Sequence, residues 1–131
     1  MQVKKTRWAA YNINYHLVWI PKYRKRLLAG SVKQRLEWWI RRMAALNEIE
    51  VVALEVQPDH VHLFVSAPPR FSPANLVNLL KGVTAPRLRE KFPHLVQAIR
   101  GALWTRTYYV GTAGNVSADV IRRYIDECHR E

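Results

Sequence analysis

Residues 50–67 read EVVALEVQPDHVHLFVSA, two short apolar runs separated by Gln57-Pro58-Asp59. The run VVALEV is too short and too β-branched for a helix, and His60 to Ala67 alternates or runs apolar until Pro68-Pro69 stops it. A connection this brief makes the two strands an antiparallel hairpin. The other elements must be arranged around it.

Tyr11 to Ile20, rich in Tyr, Ile, Val and Trp and stopped by Pro21, reads as a strand ahead of the hairpin. Pro21 to Arg26 is a basic loop. Ser31 can cap a helix running to Leu46 whose stripe is Val32, Leu36, Trp39, Ile40 and Met43. After the hairpin, Ser72-Pro73 supplies a serine cap and a first-turn proline for a second helix faced by Leu76, Leu79, Leu80 and Val83. Pro86 is expected to kink that helix, and Pro93 to end it. A fourth strand is expected over Ala102 to Gly111, then a last helix capped by Ser117. The order β-α-β-β-α-β plus a terminal helix is the split βαβ plan, ferredoxin-like or RRM-like. It predicts an α+β fold: an antiparallel four-stranded sheet, helices on one face, and a C-terminal helix carrying Tyr124.

A chain of 131 residues, 49% of them hydrophobic, fits a single domain over 1–131 with a real core. No run approaches the roughly 20 apolar residues of a membrane span, and the start lacks a signal-peptide pattern. Cys128 is the only cysteine, which forbids an intrachain disulfide and a four-cysteine zinc site. A cytoplasmic setting is expected. Lys and Arg number 21 against 10 Asp and Glu, a net charge of +11. That excess attracts polyanions, and five Trp and six Tyr offer surfaces on which unpaired bases stack.

Two features can carry chemistry. On a strand, His60 and His62 point to the same face and can supply two imidazoles to one divalent ion, or they can be polar residues on a solvent face. Tyr124 lies in the helical stripe Val120, Ile121, Tyr124, Ile125 and Cys128, so it can be an edge-of-core residue. It is also flanked by Arg122 and Arg123, the cations a phosphodiester under attack by a phenolate needs. Glu55 and Asp59 can orient an imidazole or join an ion. Glycine-rich phosphate loops are absent, and adjacent Cys128 and His129 point apart on a helix.

Taken in order, Tyr15-His16-Leu17-Val18-Trp19, the Pro-Lys-Tyr-Arg loop at 21–24, Pro58-Asp59-His60-Val61-His62-Leu63, Leu80-Lys81-Gly82, Leu103-Trp104 leading to Tyr108-Tyr109-Val110-Gly111-Thr112, and Val120 to Ile125 resemble the IS200/IS605 family of insertion-sequence transposases, the single-tyrosine enzymes with a His-hydrophobic-His motif. The likeness covers nearly the whole chain. It implies that His60 and His62 bind Mg²⁺ or Mn²⁺, and that Tyr124 is the nucleophile, forming a 5′-phosphotyrosine link and freeing a 3′-hydroxyl. It implies an RRM-like homodimer acting on single-stranded DNA with hairpins at the element ends, the tyrosine helix of one subunit serving the histidine pair of the other. The third metal ligand of the family, a glutamine four residues beyond the tyrosine, falls here at Cys128, and a thiolate prefers softer ions than Mg²⁺. Arg24, Lys25, Arg42, Arg122 and Arg123 are the expected DNA contacts. The alternative is a non-catalytic RRM-like dimer that binds hairpins in single-stranded nucleic acid. A small-phosphoester hydrolase is disfavoured by the charge.

Overall fold

The computed structural model describes residues 3–112 and 118–128. A four-stranded antiparallel sheet in the order β4-β5-β3-β6 is built from β3 (Asn14–Trp19), β4 (Glu50–Gln57), β5 (His60–Ser66) and β6 (Tyr109–Gly111). The hairpin β4–β5 forms as expected, closing at Gln57↔His60. The first crossover, through α1 (Gly30–Leu46), carries the chain from β3 past the position of β5 to β4. The second, through α2 (Pro73–Lys91) and the short α3 (His94–Ala98), carries it from β5 past β3 to β6. This is the split βαβ topology.

The period of two along each strand builds the core. Leu17, Trp19, Val61, Leu63 and Val65 form one buried cluster with Val32, Leu36 and Ile40 of α1 and Leu76, Leu80 and Leu88 of α2. The alternate positions, His16 and Val18 on β3 and His60, His62 and Phe64 on β5, therefore lie on the opposite face. There α4 (Ala118–Cys128) brings the buried Ile125.

Several boundaries differ from expectation. The run from Tyr11 to Ile20 is two strands. Ala10–Tyr11 (β2) pairs with Lys4–Lys5 (β1) in a separate ribbon tied to β4 by the Lys4–Glu50 ion pair, and Asn12 accepts a bond from the Asn14 side chain where the strands part. The first helix starts at Gly30, in the left-handed region at φ 56°, and Ala29 rather than Ser31 holds the cap position. Ser72 caps α2 as expected, accepting from the Asn75 amide. That helix runs through Pro86, held by buried Ala85 and Leu88 on either side. The fourth strand is only three residues long, because upstream of it the Lys81 ammonium takes the carbonyls of Thr105 (2.7 Å) and Thr107 (2.9 Å) that a ladder would need. Only a bridge between Pro21 and Trp104 remains of the expected pairing there. Ser117, the expected cap of the last helix, lies outside the described residues.

One buried polar contact joins this irregular segment to α2. Thr84, fully buried, donates to the Leu80 carbonyl (2.7 Å) and accepts from the Trp104 indole N–H (3.1 Å). A Thr84→Val substitution keeps the shape and leaves that indole donor unpaired, so it should cost about 1–3 kcal/mol in urea unfolding. Thr84→Ser should recover most of the loss. Equal stability of the valine variant and the parent chain would show that the hydroxyl contributes nothing.

Candidate active site

The turn at Pro58-Asp59 sets the site. Asp59, only 7% exposed, sits between two cations or potential cations: its Oδ1 is 3.0 Å from His60 Nδ1 and its Oδ2 accepts from Arg24 Nε at 3.0 Å. Burial pushes the Asp59 carboxyl up, but the bonds from His60 and Arg24 outweigh it and leave the group below the usual carboxylate range. Arg24 reaches this position from a loop in which Tyr23 (φ 62°) and Arg24 itself (φ 52°) are in the left-handed region, a conformation that costs non-glycine residues of order 1 kcal/mol or more each. Its second arm donates to Asp126 of α4 at 2.7 Å. Bonding to Asp59, working against partial burial and aided by Asp126, holds the Arg24 guanidinium more firmly protonated than usual.

His60 and His62 do emerge on one face of β5. They line a cleft of about 380 Å³ together with Arg24, Glu55, Arg122 and Ile125; Arg26, Gln57, Pro58, Asp59 and Ile121 complete its wall. A third imidazole lies behind them. His16 on β3, 5% exposed, stacks flat on Phe64 (4.0 Å, 9°) and places its Nδ1 3.1 Å from His62 Nε2, so one ring donates and the other accepts. His62 titrates below the ordinary histidine value: burial penalises its charged form most, His16 adds to the effect, and Glu55 opposes it. It therefore stays neutral, with a nitrogen lone pair to offer, into mildly acidic solution.

Tyr124 is not in that cleft. Its half-buried ring lies 6.4 Å from that of Tyr109, and its hydroxyl shares a 3.1 Å hydrogen bond with Thr107 Oγ1. Thr107 in turn meets Thr105 Oγ1 at 3.0 Å, in the segment gripped by Lys81. Ile121, three residues before it, and Ile125, the next residue, line the cleft with the histidines instead. Of the basic residues singled out from sequence, Arg24 and Arg122 join the cleft; Lys25, Arg42 and Arg123 are exposed outside its lining. The side chain of Cys128 lies outside the described residues.

As donors, His60 and His62 fit a divalent ion that accepts nitrogen and oxygen ligands. With Nδ1 of His60 on Asp59 and Nε2 of His62 on His16, His60 Nε2 and His62 Nδ1 are the nitrogens left for it. Among the described residues, no three His, Cys, Asp or Glu side chains converge as a complete ligand set. Sequence reasoning missed His16, Thr107 and the role of Lys81. The first was within reach: once Leu17 and Trp19 point to the core, His16 must share the face of the histidine pair.

A basic α+β chain whose RRM-like sheet carries paired histidines on its open face, under a helix bearing a tyrosine, defines a class of small nucleic-acid-processing proteins. The chain belongs to the IS200-like transposase family, whose description matches residues 9–128. It is similar to the ISDra2 transposase TnpA of Deinococcus radiodurans, 38% identical over 130 residues covering 98% of this chain and 93% of that protein. It is also similar to the transposase for insertion sequence element IS200 of Salmonella typhimurium, 31% identical over 93% of this chain and 81% of that one. Among solved structures, one assigned as a transposase from D. radiodurans R1 superposes with a TM-score of 0.87 at 40% identity, covering 96% of this chain and 98% of the other. The REP-associated tyrosine transposase bound to a REP hairpin shares the fold at 15% identity, with a TM-score of 0.57 over 95% of this chain and 69% of that one.

The depressed His62 value fixes the sign of a pH effect. A folded state that keeps this imidazole neutral gains stability that is complete above the unfolded value of about 6.5 and is lost as pH falls from there toward the lower folded midpoint. Metal-free protein should accordingly unfold at lower urea concentration at pH 5.5 than at pH 7.5, a window above the titration of Asp59. His62→Gln should flatten the difference. An equal loss in that variant would assign the effect to another group.

Proposed function

We propose that this transposase cleaves and rejoins single-stranded DNA at insertion-sequence ends through a covalent link to Tyr124. The observation that best supports the reading is the cleft in which His60 and His62 lie beside Arg24, Arg26 and Arg122, on the same sheet face that receives the tyrosine helix. A bound Mg²⁺ or Mn²⁺ would polarise the scissile phosphate and spread the charge on its non-bridging oxygens. His60 and His62 would hold the ion, oriented by Asp59 and His16 through their other ring nitrogens. Arg122 and Arg26 would seat the flanking phosphates.

In the first step Tyr124 Oη attacks phosphorus, the bond from phosphorus to the 3′-oxygen breaks opposite it, and the phenolic proton is matched by the proton gained by the departing 3′-hydroxyl. The 5′-phosphate then remains on the tyrosine. Attack by another 3′-hydroxyl reverses the exchange, joins the strands and returns the phenol, so no external energy source is required. Tyr124 rests on Thr107, outside the cleft that its own helix walls, which fits a phenol that serves the partner's histidines in a homodimer. Hairpins in single-stranded DNA are the proposed recognition element. The Cys128 position keeps the alternative of a pure binding module in view.

Tyr124→Phe should abolish the protein–DNA species that survives a denaturing gel with element-end single strands and Mn²⁺, while leaving the native-gel shift within a few-fold. Adduct formation by the phenylalanine variant would reject the nucleophile; a native shift with no adduct from the parent chain would establish the binding module.

Service in trans makes a second prediction. Tyr124→Phe and a His60→Ala/His62→Ala double variant, each inactive alone, should restore adduct when mixed and allowed to exchange subunits, with the DNA on the tyrosine of the histidine-deficient chain. Failure of the mixture, in samples shown to contain mixed dimers, would place the tyrosine and histidines of one subunit together.

A further inference from the structure

On the side of the molecule away from the histidine cleft, α1 and α2 cover the sheet and turn their outer surfaces to solvent. Along α1, Ser31, Arg35, Trp38 and Arg42 recur at the three- and four-residue spacing of a single helical stripe. Trp38 is 48% exposed. Its ring stands edge-to-face with the half-buried Trp39 (4.8 Å, 87°). Each indole carries a guanidinium: Arg35 lies 5.2 Å from the Trp38 ring centroid and Arg87 of α2 lies 5.1 Å from that of Trp39. Two adjoining clefts of about 410 and 390 Å³ flank these pairs and share Arg35 and Lys91.

Neither Arg35 nor Arg87 is ion-paired with a carboxylate among the described residues, and the linings hold three cations, Arg35, Arg87 and Lys91, against one anion, Glu90. Leaving an indole half in water forgoes burial that the core would reward. Placing unneutralised guanidinium groups beside two such indoles builds a surface that is flat, aromatic and cationic at once. Unpaired bases stack on aromatic and guanidinium faces while their phosphates seek nearby cations. A duplex keeps its bases stacked on one another and has none to offer an indole. A second copy of this face would bring like charge against like.

We propose that this α1–α2 face is a second contact for single-stranded DNA, separate from the histidine cleft. A base stacks on Trp38, and successive phosphates lie along Arg35, Arg87 and Lys91. Because the sheet separates the two sites, this face holds DNA outside the segment being cut. It contributes to affinity and not to the exchange at phosphorus.

The test measures binding of a fluorescent 30-nucleotide oligothymidine by anisotropy at several salt concentrations, with every protein carrying Tyr124→Phe so that covalent trapping cannot intrude. Trp38→Ala and the Arg35→Ala/Arg87→Ala pair should each weaken binding by about tenfold or more, while Trp38→Phe, which keeps an aromatic face, should stay within about threefold. The arginine pair should also lower the salt slope by about 1.4, as expected for two lost phosphate contacts on a single strand. Unchanged affinity and slope in the alanine variants would overturn the proposal. So would a change in particle mass by light scattering with unchanged affinity, which would make the face a contact between copies. Should Trp38→Ala not fold, the arginine pair decides the matter. Covalent adduct formation, assayed separately with Tyr124 restored and DNA saturating, should be unaffected in these variants. Loss of adduct there with binding intact would refute the separation of the two sites, and lost binding with adduct chemistry intact upholds this proposal without touching the role of Tyr124.

Discussion

The pairing of β5 with β3 governs both the core and the site. Its register sets Leu17 opposite Leu63 and Trp19 opposite Val61, and sends these side chains into the helices. The same register leaves His16 and His62 on the other face, close enough for their rings to share a proton. A slip of one residue would exchange the two faces, burying histidines under α1 and α2 and presenting leucines to the cleft. The apolar positions of these strands therefore do more than stabilise the sheet. They fix the direction in which the imidazoles point.

Around that frame, the site is held by contacts that are individually modest. Exposed ion pairs contribute little, and the Arg24–Asp126 bond is partly exposed on both sides. Asp59 differs because it is nearly buried and satisfied by two partners from different elements, the strand residue His60 and the loop residue Arg24. Removing either partner would leave a carboxylate short of a bond in a place poorly reached by water. This gives a physical reason for the left-handed backbone at Tyr23 and Arg24: the loop bends into a costly conformation to bring a guanidinium under Asp59, and the bonds made there offset the cost.

The elements whose sequences repeat a single period were legible. The hairpin around Pro58-Asp59, the Ser72 cap, the apolar stripes of both crossover helices and the sheet plan follow from local chemistry. The segment from Ala102 to Thr107 was not, because its conformation is dictated by Lys81, more than twenty residues earlier, and by Thr84 reaching Trp104. Pro86 does not divide α2, which runs through it from Pro73 to Lys91 with Ala85 and Leu88 buried on the core side. At the site, a two-residue spacing was enough to place His60 beside His62, whereas the partnership with His16 is a tertiary fact that needs the strand order. The position of Tyr124 was the least readable of all. Helical periodicity puts it on a stripe with Ile121 and Ile125, but not on which edge of that stripe its hydroxyl lies.

That edge matters for the chemistry proposed. A phenol with an ordinary pKa of about 10 is a poor nucleophile, so the rate must come from the electrophile and from alignment. Two imidazoles, each with its second nitrogen committed to a neighbour, would bind an ion firmly enough to orient it yet leave most of its coordination positions open to phosphate oxygens and water. A full protein cage would exclude the substrate from those positions. On this reasoning, a site whose ion is held by the two imidazoles alone stays open to DNA.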